Sequence, residues 1–387
     1  MTKLEELIQK LCPNGVEHKP LNEVSEMKRG TSITKKDIVE GEIPVVSGGR
    51  EPAYYCDKYN RDGETITVAG SGAGAGYVQY WTKPIFVCDA FSIQGNPGIQ
   101  TKYIYYFLTN IQDYIYSTKK GGGVPHVHIS SIENVSVPVP PLPVQREIVR
   151  ILDNFTVLTA ELTAELTAEL TARKKQYAYY RDKLLSTNNS SVPVVELRDI
   201  VKKSCSGATP AKGNAEYYEN GTIPWIRTQD VRFNEITEVN SYITEKAVSE
   251  TATKWIPENC VIVAISGATA GRCAINKIKA TTNQHCLNLI IDDSMALYRY
   301  VFHCLCSKYE ELISRKQGAR GDLNSSLILS LPISIPSLEV QKRLVEVLDN
   351  FDAICSDLKI GLPAEIEARQ KQYEYYRDKL LTFTPAD

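Results

Sequence analysis

Apolar residues recur at three- and four-residue spacings through the middle of the chain: Val144, Ile148, Leu152, Phe155, Leu158, Leu162, Leu166 and Leu170. That spacing puts them on one face of an α-helix as a single buried stripe. No glycine or proline falls between Val144 and Leu185, so nothing predicts a break. At 1.5 Å per residue the helix would run roughly 60 Å. This exceeds an ordinary globular helix and predicts a spacer or coiled-coil arm. Inside it, Thr159-Ala160-Glu161-Leu162 recurs at once as 163–166 and again as 167–170.

Elsewhere the pattern is different. Leu4, Leu7, Ile8 and Leu11 predict a short amphipathic helix, stopped by Pro13-Asn14-Gly15. From Leu21 to about Gln100 short β-like runs take over: 43–46, 65–68, 77–81 and 84–87, separated by glycine and Asn/Asp turns. Tyr103 to Tyr116 returns to helical spacing. A loop at Lys119-Lys120-Gly121-Gly122-Gly123 follows, and 135–143 is an extended, proline-rich approach to the long helix.

The long segment occurs twice. Adding 196 turns Val144-Gln145 into Val340-Gln341, Leu152-Asp153-Asn154-Phe155 into Leu348-Asp349-Asn350-Phe351, and Tyr179-Tyr180-Arg181-Asp182-Lys183-Leu184-Leu185 into Tyr375 to Leu381. The globular blocks repeat the same plan with different side chains: Ile223-Pro224-Trp225-Ile226 parallels Ile43 to Val46, and 261–271 parallels 66–76. A period of half the chain means duplication of one large unit, not a solenoid. The expected fold class is α+β: two β-rich blocks related by internal duplication and separated by two long helices packed as an antiparallel coiled-coil pair. The expected domains are 1–140, a spacer helix 141–186, 187–335, and a second spacer helix 336–382. Gly361-Leu362-Pro363 replaces Glu165-Leu166-Thr167 in the second arm, which predicts a kink or break near 361.

Composition narrows the function. The net charge is −2 over 387 residues, whereas a lone nucleic-acid binder is usually basic; any DNA binding would have to rely on local patches or partner subunits. Ten cysteines are scattered without a CxxC pair, so free thiols and a reducing compartment are expected. Cys304 and Cys306 lie in an apolar run that reads as a buried helix. No signal peptide and no bilayer-length apolar run is visible, which predicts a soluble, cytoplasmic protein.

The candidate chemistry is sparse. Gly70-Ser71-Gly72-Ala73-Gly74-Ala75-Gly76 lacks the Lys-Ser/Thr ending of a phosphate loop and the GxGxxG spacing, so it reads as a tight strand-to-strand turn needing positive φ. Pro125-His126-Val127-His128 reads as a polar loop, not a metal site. No methyltransferase or Walker motif is present, so no catalytic or metal residue is expected. Lys119-Lys120 and Gly122 match Arg315-Lys316 and Gly318 at the same offset, with Arg320 adding charge. These cations suit either the C-terminal end of a helix dipole or phosphate contacts. Arg227 and Gln229 are residue types that read base edges in the major groove; Lys35 and Lys36 are the candidate surface in the first block. Tyr177, Tyr180 and Leu184 share a helical face and are expected in the seam. Tyr179 and its twin Tyr375 point elsewhere and are candidate partner contacts.

These features resemble the specificity subunits of type I restriction–modification systems, and the resemblance covers essentially the whole chain. It rests on the two variable blocks, each leading through a Pro-Leu-x-x-Gln-type approach (Pro141-Leu142 to Gln145 and Ser337-Leu338 to Gln341) into a long helix that ends Gln-Tyr-x-Tyr-Tyr-Arg-Asp-Lys-Leu-Leu. The Thr-Ala-Glu-Leu repeat is similar to the branch in which repeat number sets DNA spacing. The resemblance implies two target-recognition domains, each reading half of a bipartite double-stranded DNA site. It also implies helices that space the domains and dock two modification subunits. This chain would be non-catalytic and hold no cofactor; S-adenosylmethionine for adenine methylation, and ATP and Mg2+ for any restriction subunits, would belong to the partners. The competing expectations are a coiled-coil scaffold, a DNA-binding module outside restriction–modification, and an enzyme using the glycine loop.

Overall fold

The structure is a computed structural model that describes residues 2–33, 39–186, 192–316, 322–356 and 361–386. It divides into two compact units: 1–166 with 365–387, and 167–364.

Unit 1 opens with α1 (Lys3–Leu11), whose Thr2 and Glu5 form a capping box. Strand β1 (His18–Pro20) leads into a helical turn, α2 (Leu21–Val24). Strands β2 (Ser25–Arg29), β3 (Ile43–Val46), β4 (Tyr54–Cys56), β5 (Thr65–Ala69), β6 (Val78–Trp81), β7 (Phe86–Val87) and β8 (Ala90–Gly95) follow. They form an antiparallel sheet in the order β2-β8-β5-β6 and a small sheet β4-β3-β7, in which β3 and β7 run parallel. Helices α3 (Thr101–Asn110) and α4 (Gln112–Ser117) then divide the predicted 103–116 helix in two at Ile111. Strand β9 (Ser136–Pro138) returns to pair with β1. The chain enters α5 (Leu142–Leu184), 43 residues long, with Pro143 in its first turn, where a missing N–H costs nothing.

Unit 2 repeats the plan. Strands β10 (Val194–Glu196), β11 (Val201–Ser206), β12 (Ile223–Ile226), β13 (Asn234–Ile236) and β14 (Tyr242–Ile243) lead to the short helix α6 (Glu245–Glu250). Strands β15 (Trp255–Ile256), β16 (Val261–Ala264), β17 (Cys273–Asn276), β18 (Ala280–Thr282) and β19 (Cys286–Ile291) complete sheets ordered β11-β19-β16-β17-β13 and β14-β12-β18-β15. Helices α7 (Tyr298–Ser307), α8 (Tyr309–Ser314) and α9 (Ser325–Leu329) precede β20 (Pro332–Ser334), which pairs with β10. The second arm comprises α10 (Leu338–Ser356) and α11 (Leu362–Leu381). A break near 361 was expected; α11 begins beside it with Pro363 in its first turn, and 357–360 lie outside the described residues.

Each unit buries one main core, and each core recruits the long arms. In unit 1, Val144, Ile148 and Leu152 of α5 and Leu381 of α11 join Ile66, Ile93, Tyr103 and Leu108. Phe155 meets the Tyr376 ring edge-on at 5.9 Å, and the Thr156 and Tyr373 hydroxyls lie 3.1 Å apart. In unit 2, Val345 and Leu348 of α10 and Leu185 join Val261, Leu289 and Tyr300. Tyr180 stacks on Phe351 at 6.4 Å, and Tyr177 reaches the ring of His303 at 3.3 Å.

The expected single buried stripe is corrected here. Burial is complete only at Val144, Ile148 and Leu152; Leu158 is 60% exposed, and Leu162, Leu166 and Leu170 are half-buried. The reason is that the globular block covers only the first turns of α5. Leu184, expected in the seam, is also exposed. Cys304 and Cys306 do lie in a buried helix, and all ten cysteines are free thiols.

Candidate nucleic-acid interface

In both blocks two parallel strands end side by side and fan into loops. In the first, the Val46 carbonyl accepts from the Cys88 N–H at 2.8 Å, at the ends of β3 and β7. In the second, the Ile226 carbonyl accepts from the Asn283 N–H at 3.0 Å, at the ends of β12 and β18. The adjacent β-turn is glycine-rich for a steric reason. Gly72 and Gly76 have φ of +78° and +84°, and a Cβ at Gly48 would stand 2.1 Å from the Ser71 carbonyl oxygen. The glycine stretch is therefore the tight turn between β5 and β6 that its spacing predicted.

In both blocks the chain returns to the end of a sheet strand by a matching bond. In the first block the Val127 N–H donates to Gly70 at 3.0 Å and the Gly72 N–H to Pro125 at 3.1 Å. In the second the Leu323 N–H donates to Ile265 at 2.8 Å. Val127 and Leu323 are both buried, so in each block a buried apolar side chain and a matching main-chain bond tie the chain beside the end of a sheet strand. Lys119 and Lys120 thus stand beside the glycine turn, with Lys119 Nζ 4.3 Å from the Tyr116 ring centre. His126 pairs its backbone with Lys120 and stacks on His128. Among the described residues no group of three His, Cys, Asp or Glu is placed to hold a metal.

Arg315 forms an ion pair with Glu311 and donates to the Leu327 carbonyl at 3.3 Å. Lys316 is half-buried, and Gln229 is exposed at a strand-end loop whose carbonyl accepts from Arg232 Nε at 2.6 Å. Arg227 sits on the next residue after β12, its guanidinium 5.8 Å from the Trp225 ring centre. Lys35, Lys36, Gly318 and Arg320 lie outside the described residues.

Sequence spacing missed a pair that strand register makes plain. Tyr55 stands opposite Pro44 on β4, and Tyr242 stands opposite Pro224 on β14. Both are exposed, at 54% and 43%. Their intervening loops differ in length, so no constant offset relates them. Tyr179 and Tyr375 are the most exposed aromatics of their arms, at 61% and 62%. Each leans on its neighbour, with ring centres 5.3 Å apart for Tyr179 and Tyr180 and 5.4 Å for Tyr375 and Tyr376.

The repeated approach to each arm is a set of anchors. Gln145 is buried; its side-chain oxygen accepts from the Gln100 N–H at 2.9 Å and its amide donates to Pro140 at 2.8 Å. Gln341 accepts from the Leu297 N–H at 2.9 Å and donates to Pro336 at 2.9 Å. Tyr103 donates to the Pro138 carbonyl at 3.0 Å, and Tyr300 to that of Ser334 at 2.8 Å. Asp153 receives Lys102 and the Tyr106 hydroxyl; Asp349 receives Arg299 and His303. Burial opposes the charge of Asp349, but the bonds from His303 and Arg299 outweigh it and hold the carboxyl below its usual range.

Comparison with known proteins places this architecture. Residues 13–172 and 189–368 match the family described as Type I restriction modification DNA specificity domain. The specificity subunit of the Escherichia coli type I restriction enzymes EcoR124I/EcoR124II is 38% identical over 73% of this chain and 70% of its own length. A putative type I restriction enzyme specificity subunit of Haemophilus influenzae is 30% identical over 99% of both chains. Two solved structures share the fold at low identity. One, reported for complex assembly and conformational transition of the type I R-M system, has a TM-score of 0.71 and 16% identity, covering 95% of this chain and 98% of its own. The HsdS subunit of Thermoanaerobacter tengcongensis has a TM-score of 0.55 and 17% identity, covering 96% and 97%. With the match repeated in each half and a relative aligned end to end, the chain belongs to the type I restriction–modification DNA specificity family.

Proposed function

We propose that this chain gives a type I restriction–modification complex its DNA sequence specificity, each globular block reading one half of a bipartite double-stranded site. The observation that carries this is the family match falling once in each block, at 13–172 and 189–368. The strand-end loops are the reading surfaces. Arg227 and Gln229 approach base edges in the second block; Lys119, Lys120, Lys316, Lys35, Lys36 and Arg320 serve phosphates. Arg315, bonded to Glu311 and to the Leu327 carbonyl, serves phosphates from a fixed position.

The two long arms form an antiparallel coiled-coil pair whose Thr-Ala-Glu-Leu repeats set the distance between half-sites. The half-buried leucines at 162, 166 and 170 support this, since a strip between full exposure and full burial suits a two-helix seam. Tyr179 and Tyr375, exposed at equivalent places, dock two modification subunits in the cytoplasm. Those subunits supply S-adenosylmethionine-dependent adenine methylation, and any restriction subunits supply ATP- and Mg2+-dependent cleavage. This chain contributes specificity alone.

The test is co-expression with the modification subunit and methylome sequencing. A split motif with methyl-adenine in each half is the expected outcome. A contiguous motif would mean that one block reads DNA, and no new methylation from a stable complex would overturn the assignment.

A further inference from the structure

The second block holds a recess of about 810 Å³ at the ends of β12 and β18, and everything lining it belongs to unit 2. Aromatic walls come from Tyr218, Trp225 and Tyr242; Arg227, Lys212 and His285 supply cationic or titratable groups. The aromatic wall is itself fixed. Trp225 Nε1 donates to the Ala208 carbonyl at 3.1 Å, and Tyr218 packs edge-on against Trp225 at 6.1 Å. The Arg227 backbone is equally fixed, its N–H donating to Asp230 Oδ2 at 2.8 Å.

The guanidinium is not. It rests on Trp225, and its Nε is buried without an acceptor among the described residues. A buried donor left unpaired is unfavourable, so the free protein holds this arginine where a ligand that draws it out improves its bonding. A planar fork of donors on a rigid strand end matches the O6 and N7 acceptors of guanine. Glu219 lines the same recess beside Arg227 and Lys212, and a G·C pair, unlike a bare phosphate, offers the cytosine amino group as a donor to a carboxylate.

The first block provides an internal contrast. Its corresponding strand end reads Val46-Ser47-Gly48: a serine replaces Arg227, and the Ser71 carbonyl forbids a side chain at Gly48. We infer that Arg227 reads a guanine in the half-site bound by the second block, and that the first block carries no arginine at the corresponding strand-end position. This rests on the proposed role in bipartite recognition.

The experiment is methylome sequencing of cells expressing the modification subunit with wild-type chain, R227Q or R227K. Complex assembly and thermal unfolding are measured alongside. Methylation of a split motif by the wild type establishes the underlying reading on its own; its absence removes that reading, not this one alone. With the wild-type motif in hand, both variants are expected to relax one guanine position in the second half-site by about 10- to 100-fold. The first half should be unchanged and assembly intact. An unchanged motif, or uniform weakening at every sequence with R227K restoring activity, marks a phosphate or structural residue and overturns the inference. If R227Q fails to assemble, R227K carries the same readout.

Discussion

The side-chain oxygen of Gln145 accepts the backbone N–H of Gln100 at 2.9 Å, joining the globular block of unit 1 to the first turn of its long helix. Gln341 and Leu297 repeat this at 2.9 Å in unit 2. Removing the carboxamide strands a part-buried main-chain donor. Q145L and Q341L are each expected to destabilise their own unit by about 1–3 kcal/mol. Thermal unfolding of the single and double variants measures this. Because the anchors lie in separate units, the two losses should add; strong non-additivity would contradict independent joints.

Glu147 responds to acid in a defined direction. Hydrogen bonds from Arg150, then Lys3, outweigh burial and hold its carboxyl at about 2, against an ordinary 4.5. A depressed native value gives stability that is present above 4.5 and lost as pH falls toward 2. E147Q should therefore be less stable than the wild type at pH 7, and the gap should close across that window. Urea unfolding at pH 7, 4 and 3 tests it; a gap constant with pH would show that the charge contributes nothing.

The spacer makes a metrical prediction. Deleting residues 163–166 removes one Thr-Ala-Glu-Leu unit, about 6 Å of rise and a net turn of about 40°. One base pair turns about 36° and rises about 3.4 Å. The rotations nearly agree while the rises do not, so rotational phase governs. The deletion is expected to shorten the preferred spacer by one base pair in the methylome. Unchanged spacing would sink the idea.

The exposed tyrosines predict paired docking. Y179A and Y375A should each weaken binding of one modification subunit by roughly tenfold or more, as truncating an aromatic anchor does, and the double variant should lose both. Sedimentation titration with the purified subunit reads the stoichiometry. Two full-strength sites in the double variant would assign these rings to another purpose.

The long helices, the duplication and the strands at 43–46 and 65–69 were legible because each follows from spacing along the chain. Strands β4 and β14 were not, since they are only three and two residues long and owe their existence to pairing with the Ile-Pro strands. The cations divide in the same way. Their positions were visible, and so was the i,i+4 spacing of Glu311 and Arg315, but the bond from Arg315 to the Leu327 carbonyl depends on where α9 folds back. Burial ends sooner than the apolar stripe does, because periodicity records which residues share a face, not how far along the helix that face is covered.

The anchors between blocks and arms end largely on main-chain atoms. Tyr103 bonds the carbonyl of a proline and Tyr300 that of a serine, yet the two bonds are alike. A carbonyl is indifferent to the side chain that accompanies it. Inheritance therefore falls unevenly on the two partners of each joint: the residue that lends only a backbone atom can change its side chain over generations, while a single change at Gln145, Gln341, Tyr103 or Tyr300 weakens the attachment for every target the block comes to read.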